Sequence, residues 1–238
     1  LWQFPSPRPM RTTPTLYGGM VYAGNENGTL YALDAETGEE QWQFDLDNPI
    51  VSTVTAFDGV LYVGSLDDGV YALDADDGTV IWQFETEGDV YASPLVTDGV
   101  VYVGSRDDNF YALDALEGDL LWQVETDGAI WSSAARQGDL VYFGNREGQL
   151  LALNTHTGDE VWRFEGFVNQ GNVDATPAIV DGMVFVGSQG ADFYALDALS
   201  GDVVWQFAAE SGFYSSAAVR DDVLVVNDFD GNVYALST

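Results

Sequence analysis

The chain has 238 residues, 46% of them apolar and 13% aromatic, which excludes disorder by composition and leaves room for a sizeable core. Its 39 acidic and 7 basic residues give a net charge of −32, a field that repels nucleic acid and anionic membrane surfaces. The absence of cysteine excludes disulfides and thiolate chemistry, and no apolar run approaches the ~18 residues of a membrane span.

All seven basic residues are arginine. Self-repulsion of so acidic a surface is relieved at molar salt, where the screening length falls to about 3 Å. A high-salt environment is therefore expected, with loss of structure on dilution. The sequence starts without a methionine or a visible signal segment, so a processed or trimmed form is expected.

The first predicted element is Leu1-Trp2-Gln3-Phe4, a tetrapeptide that returns in variant form around Trp42, Trp82, Trp122, Trp162 and Trp205. The tryptophan period is 40 residues, with one step of 43. The units span residues 10–47, 48–87, 88–127, 128–167, 168–210 and 211–238. The second unit reads most clearly. Val51–Phe57 is β-rich and ends in Asp58-Gly59; Val60–Ser65 ends in Asp67-Asp68-Gly69; Val70–Asp74 ends in Asp76-Asp77-Gly78; Thr79–Glu85 carries the tryptophan. Gly-containing turns between short apolar runs are hairpin signals, and four antiparallel strands per ~40 residues make a propeller blade. The extra residues of the long step fall in Glu165–Asp174, and the sixth unit contains only three of the four runs. The fold expected is a single all-β, six-bladed propeller domain. Leu1–Phe4 is expected to supply the missing outer strand of the last blade and so close the ring. The rival reading is a piece of a longer propeller.

The strand-turn-strand segments Ala32–Trp42, Ala72–Trp82, Ala112–Trp122, Ala152–Trp162 and Ala195–Trp205 share the form Ala-Leu-Asp/Asn-x-x-x-Gly-x-x-x-Trp. This resembles the tryptophan-docking motif of the quinoprotein-type, PQQ-like β-propeller repeats. That family contains quinone-dependent alcohol dehydrogenases and also a non-catalytic outer-membrane assembly lipoprotein. The resemblance is nearer the latter and implies a secreted or cell-envelope location. It implies that Trp2, Trp42, Trp82, Trp122, Trp162 and Trp205 are structural, each packed between blades. The physics agrees: a tryptophan can bury ~200 Å² and still place its N–H on an acceptor, worth several kcal/mol at ~25 cal/mol/Å².

The dehydrogenase branch fits poorly. Its enzymes commonly carry a vicinal cysteine pair and eight blades, and this chain has neither. His156 is the only histidine and sits in a turn, which removes a histidine metal site. The Asp-rich segments Ser65–Gly69 and Asn227–Gly231 read as hairpin turns, lacking the ligand count of a calcium loop. No catalytic residue, cofactor or metal is expected.

What varies between units is a column thirteen residues before the Gly of Tyr-x-Gly-Ser: Arg11, Val51, Tyr91, Trp131, Asp174 and Tyr214. It is expected to begin the innermost strand and to rim one mouth of the central channel. Arg106 and Arg146, two residues after their Gly, are expected to share that face. The predicted function is a non-catalytic binding or scaffold propeller that recognises a protein partner or small ligand through this aromatic and arginine rim. The alternatives are a quinone-dependent oxidoreductase or its degenerate relative, and a structural subunit of a larger assembly.

Overall fold

A computed structural model describes residues 1–167 and 171–238; residues 168–170, within the predicted insertion, lie outside the described set. The described residues form antiparallel sheets and no helix. Two compact units divide the chain, Leu1–Gln123 and Val124–Thr238.

The first unit holds three sheets. The first comprises Thr15–Tyr17 (β1), Met20–Gly24 (β2), Thr29–Asp34 (β3) and Glu40–Asp45 (β4). The second comprises Thr55–Phe57 (β5), Val60–Gly64 (β6), Gly69–Asp74 (β7) and Val80–Glu85 (β8). The third comprises Leu95–Thr97 (β9), Val100–Gly104 (β10), Asn109–Asp114 (β11) and Leu120–Glu125 (β12), the boundary between units falling inside β12.

The second unit repeats the plan. Ala135–Gln137 (β13), Leu140–Gly144 (β14), Leu150–Asn154 (β15) and Glu160–Phe164 (β16) form one sheet. Ala178–Val180 (β17), Met183–Gly187 (β18), Asp192–Asp197 (β19) and Val203–Ala208 (β20) form the next. Ala218–Arg220 (β21), Val223–Asn227 (β22) and Val233–Ser237 (β23) form the last. Among the described residues, six antiparallel sheets of blade type, five of four strands and one of three, constitute the all-β propeller fold.

Local chemistry explains each sheet. The β5–β6 hairpin turns on Asp58 and Gly59 at φ 49° and 81°, a left-handed pair that matches strand twist and that Asp-Gly tolerates. Third strands such as β7 are buried on both faces, whereas β8 alternates, as an outer strand with one wet face should. Beside Trp42, Trp82, Trp162 and Trp205 the ladder slips. Ala32 faces Trp42 but Leu33 faces Glu40, so Gln41 bulges out, and the slip recurs at Ala72/Leu73, Ala152/Leu153 and Ala195/Leu196. A bulge sharpens the local twist and re-aims the neighbouring side chain.

The seams between successive sheets reuse one device. Trp42 Nε1 donates to the Ala75 carbonyl at 3.2 Å, and the Tyr22 hydroxyl donates to the same oxygen at 2.9 Å. Trp82 and Tyr62 converge on Ala115 at 2.9 and 3.1 Å, and Trp162 and Tyr142 on Ala198 at 2.9 and 3.0 Å. Both lone pairs of each buried carbonyl are thereby used. The glycine of Tyr-x-Gly-Ser belongs to the seam as well. A Cβ on Gly64 would lie 2.4 Å from Val90 Cγ1, and one on Gly144 2.2 Å from Val173 Cγ1.

The expected closing strand is not formed. The last sheet has three strands, and residues 1–4 carry no strand. Side-chain docking takes place without backbone pairing: Trp2 Nε1 donates to the Ala35 carbonyl at 3.0 Å and Phe4 tilts against Tyr31 at 5.0 Å. These contacts hold the segment on the first sheet. Val233 of β23 stays 70% exposed.

Candidate functional site

The variable column does not begin the innermost strand, as the sequence predicts. It lies in the loop four residues ahead of it: Val51 precedes β5 at Thr55, and Tyr91 precedes β9 at Leu95. Before five of the six column members stands a buried plug, Ile50, Val90, Ile130, Val173 or Phe213, fully enclosed; before Arg11 stands the half-buried Met10. The column member itself is half-buried or exposed.

A second column accompanies the first, fifteen residues later in every unit: Glu26, Leu66, Arg106, Arg146, Gln189 and Phe229. One backbone hydrogen bond per blade holds the two together. Leu66 N donates to Pro49 O at 3.1 Å, Arg106 N to Asp89 O at 3.0 Å and Arg146 N to Ala129 O at 2.9 Å. The same bond joins Glu26 to Pro9, Gln189 to Asn172 and Phe229 to Gly212.

The side chains in these positions are chemically matched. Arg11 pairs with Glu26 as an ion pair. Val51 and Leu66 are both apolar and line the same pocket. Arg106 lies over the Tyr91 ring at 5.9 Å and hydrogen-bonds Asp89. Arg146 stacks on Trp131 with its guanidinium carbon 3.8 Å from the ring centroid. Gln189 Nε2 donates to Asp174 Oδ2 at 2.6 Å. Tyr214 and Phe229 meet edge-to-face at 4.1 Å.

Arg146 is the most enclosed cation of the set. Its Nε lies 3.6 Å from Asp174 Oδ1, and the Asp174 side chain is only 6% exposed. With the Asn172 amide assigned from its hydrogen-bond partners, Asn172 donates to the Arg146 carbonyl at 2.7 Å and its oxygen accepts from the guanidinium at 2.7 and 3.0 Å. Burial pushes the Asp174 carboxyl above its usual range, while Arg146 and Gln189 pull it back. The arginines expected to offer positive charge are thus tied to carboxylates: Arg11 to Glu26, Arg106 to Asp89 and Arg146 to Asp174.

All seven predicted site residues fall in these two columns. Trp131, Arg146 and Asp174 come together, Tyr91 and Arg106 come together, and Arg11 and Tyr91 line one pocket. Tyr214 is partnered by Phe229 and is 47% exposed. Sequence reasoning missed Glu26, Leu66, Gln189 and Phe229; the constant fifteen-residue spacing with complementary chemistry was the available signal.

In the first unit a pocket of about 340 Å³ is lined by Arg11, Glu26, Pro49, Val51, Leu66 and Tyr91. A larger cleft of about 680 Å³ runs beside Phe207 and Tyr234 of the second unit, between β20 and β23, and holds none of the predicted residues. His156 is an exposed turn residue whose amide donates to Asn154 Oδ1 at 2.9 Å. Among the described residues no three His, Cys, Asp or Glu side chains gather as a metal site requires. No helix among them is long and apolar enough to cross a membrane.

Comparison with known proteins locates the fold. The family model described as "Beta-alanine-activating enzyme, beta-propeller" matches residues 5–238. Among solved structures, BamB from Moraxella catarrhalis is similar with a TM-score of 0.86 and 21% identity, over 99% of this chain and 76% of that one. The computationally designed Ika8 protein is similar with a TM-score of 0.85 and 19% identity, over 95% of this chain and 70% of that one. No curated protein sequence matches. The family match and the BamB likeness agree with the PQQ-like repeat type that the docking segments resemble.

Proposed function

The chain belongs to the β-propeller family of the β-alanine-activating enzyme, and from that premise we propose that it is a non-catalytic binding scaffold whose paired columns recognise a protein partner. The observation that carries this reading is the constancy of the pair geometry against the variety of its chemistry. A position kept in place six times but filled by an ion pair, an apolar pair, two arginine-aromatic stacks, a hydrogen bond and an aromatic pair is one where packing is met in any of several ways. Such positions are free to be set by a partner. The polar members are engaged with one another, which favours a shaped recognition surface over a reacting group. The likeness to BamB supports a protein-binding role and a cell-envelope location.

The test is site-specific photo-crosslinking in the native host. A photoreactive residue at Val51 or Tyr214 is expected to trap one discrete partner, and the same residue at Val161, exposed on an outer strand, is expected to trap none. Equal trapping at Val161 contradicts recognition through the columns. Titration with a quinone and calcium is expected to leave both absorbance and melting temperature unchanged; a saturable shift in either reinstates the oxidoreductase reading.

A further inference from the structure

The proposed recognition surface has one place where the chemistry of the partner can be read, and this inference rests on that reading. The pocket in the first unit joins three neighbouring pairs. Pro49, Val51, Leu66 and Tyr91 give it an apolar lining, with a volume of about 340 Å³. That is the small end of the range for ligand pockets and suits a single large side chain with part of its backbone. Arg11, on its rim, is already neutralised by Glu26.

The far side is acidic. Leu66 leads directly into Asp67 and Asp68, and the Asp68 carboxyl is pushed up first by burial and then by the negative charges of Asp89, Asp67 and Asp107. Arg106 is the one cation acting on it. Asp89 is held by Arg106, Asp107 accepts from the Glu87 amide at 2.8 Å and the Tyr111 hydroxyl at 2.7 Å, and Asp67 accepts from the Tyr71 hydroxyl at 2.9 Å. Arg106 neutralises Asp89, whereas the bonds to Asp67 and Asp107 fix those carboxylates without neutralising them: the tyrosines and the amide bring no positive charge. Asp67, Asp68 and Asp107 are left without a cation of their own and give a net negative charge on the turn that follows Leu66, beside the apolar lining. The net charge of −32 adds a long-range field of the same sign. A segment bearing acidic residues is repelled there, and a purely apolar one leaves the rim unmatched.

We propose that this pocket anchors one large apolar side chain of a partner protein, in a segment whose residues on either side of the anchor are basic. The anchor displaces water from Val51, Leu66 and Tyr91, and the flanking cations lie over Asp67 and Asp68.

The test uses the full chain, ¹⁵N-labelled, at the lowest salt at which it is fully folded. It is titrated with three capped tripeptides: Arg-Phe-Arg, Glu-Phe-Glu and Arg-Ser-Arg. Arg-Phe-Arg is expected to bind at least about tenfold more tightly than either of the others, with amide shifts concentrated at Glu26, Leu66 and Tyr91. Leu66→Ser is expected to abolish the preference for phenylalanine over serine. Val51→Asn serves the same purpose should the first variant fail to fold. Equal affinity for Glu-Phe-Glu or Arg-Ser-Arg overturns the proposal, and so does the absence of any saturable shift. Shifts confined to Trp131, Gln189 and Tyr214 overturn the pocket but leave column recognition standing; the crosslinking experiment decides that broader reading independently.

Discussion

The seams and the paired columns occur once per repeat, yet they behave oppositely. At the seams one solution recurs: a tryptophan and a tyrosine share an alanine carbonyl at Ala75, Ala115 and Ala198, and beside Trp205 the tyrosine's place is taken by Phe185. In the columns the backbone bond recurs but the side chains differ in every blade. The difference follows from burial. A seam carbonyl has no water to turn to, so its donors are obligatory. A column pair is half-wet, so several chemistries satisfy it. The seams therefore carry the fold, and the columns are where sequences of one fold can differ in what they bind.

The largest effect expected from breaking this comparison lies at a seam. Trp82→Ala removes a ring that is 8% exposed and strips one donor from Ala115, and should cost about 3–5 kcal/mol in urea unfolding. A loss below about 1 kcal/mol would mean that the seams do not dominate stability.

Tyr22→Phe is milder, about 1 kcal/mol, because Trp42 still serves the Ala75 carbonyl. Burial pushes the Tyr22 phenol up to about 12 from 10.0, with Asp76 a lesser cause. A raised folded pKa means the protonated form is favoured in the native state. The contribution is complete below pH 10 and is lost as pH rises through about 12. Wild type should therefore destabilise over that alkaline interval more steeply than Tyr22→Phe. Parallel pH profiles would remove the phenol from the seam.

A double-mutant cycle on Trp131 and Arg146 should give the smallest number, a coupling of about 0.5–1 kcal/mol, as a partly exposed cation–π stack allows. Asp174→Asn should lower that coupling by loosening Arg146, since Asp174 is its nearest carboxylate at 3.6 Å.

Much of the fold was legible because the repeat writes its own punctuation. Asp58-Gly59 marks a hairpin by its left-handed φ values, and the tryptophan phase marks every outer strand present. The innermost strands read too early. Val51–Phe57 is β-rich throughout, but the Ile50 amide bonds to Asn25 of the preceding sheet and the Ser52 hydroxyl to the Gly64 carbonyl, so pairing within the sheet starts only at Thr55. The closing strand was half-legible. Trp2 and Phe4 dock on the first sheet as the tetrapeptide implies, whereas backbone pairing depends on segments far apart in sequence, which a local period does not specify. In the candidate site, arginine and aromatic residues stood out by type. Glu26, Leu66, Gln189 and Phe229 did not, because their significance lies in the partner fifteen residues earlier and not in their own chemistry.

The most direct measurement transplants a pair. Tyr91→Val with Arg106→Leu gives the third blade the pair that Val51 and Leu66 form in the second. If column positions are set by partners and not by the fold, the double variant unfolds in urea within about 1 kcal/mol of wild type. A loss of about 3 kcal/mol or more, the scale expected of a seam, would place the columns in the structural core and contradict the account.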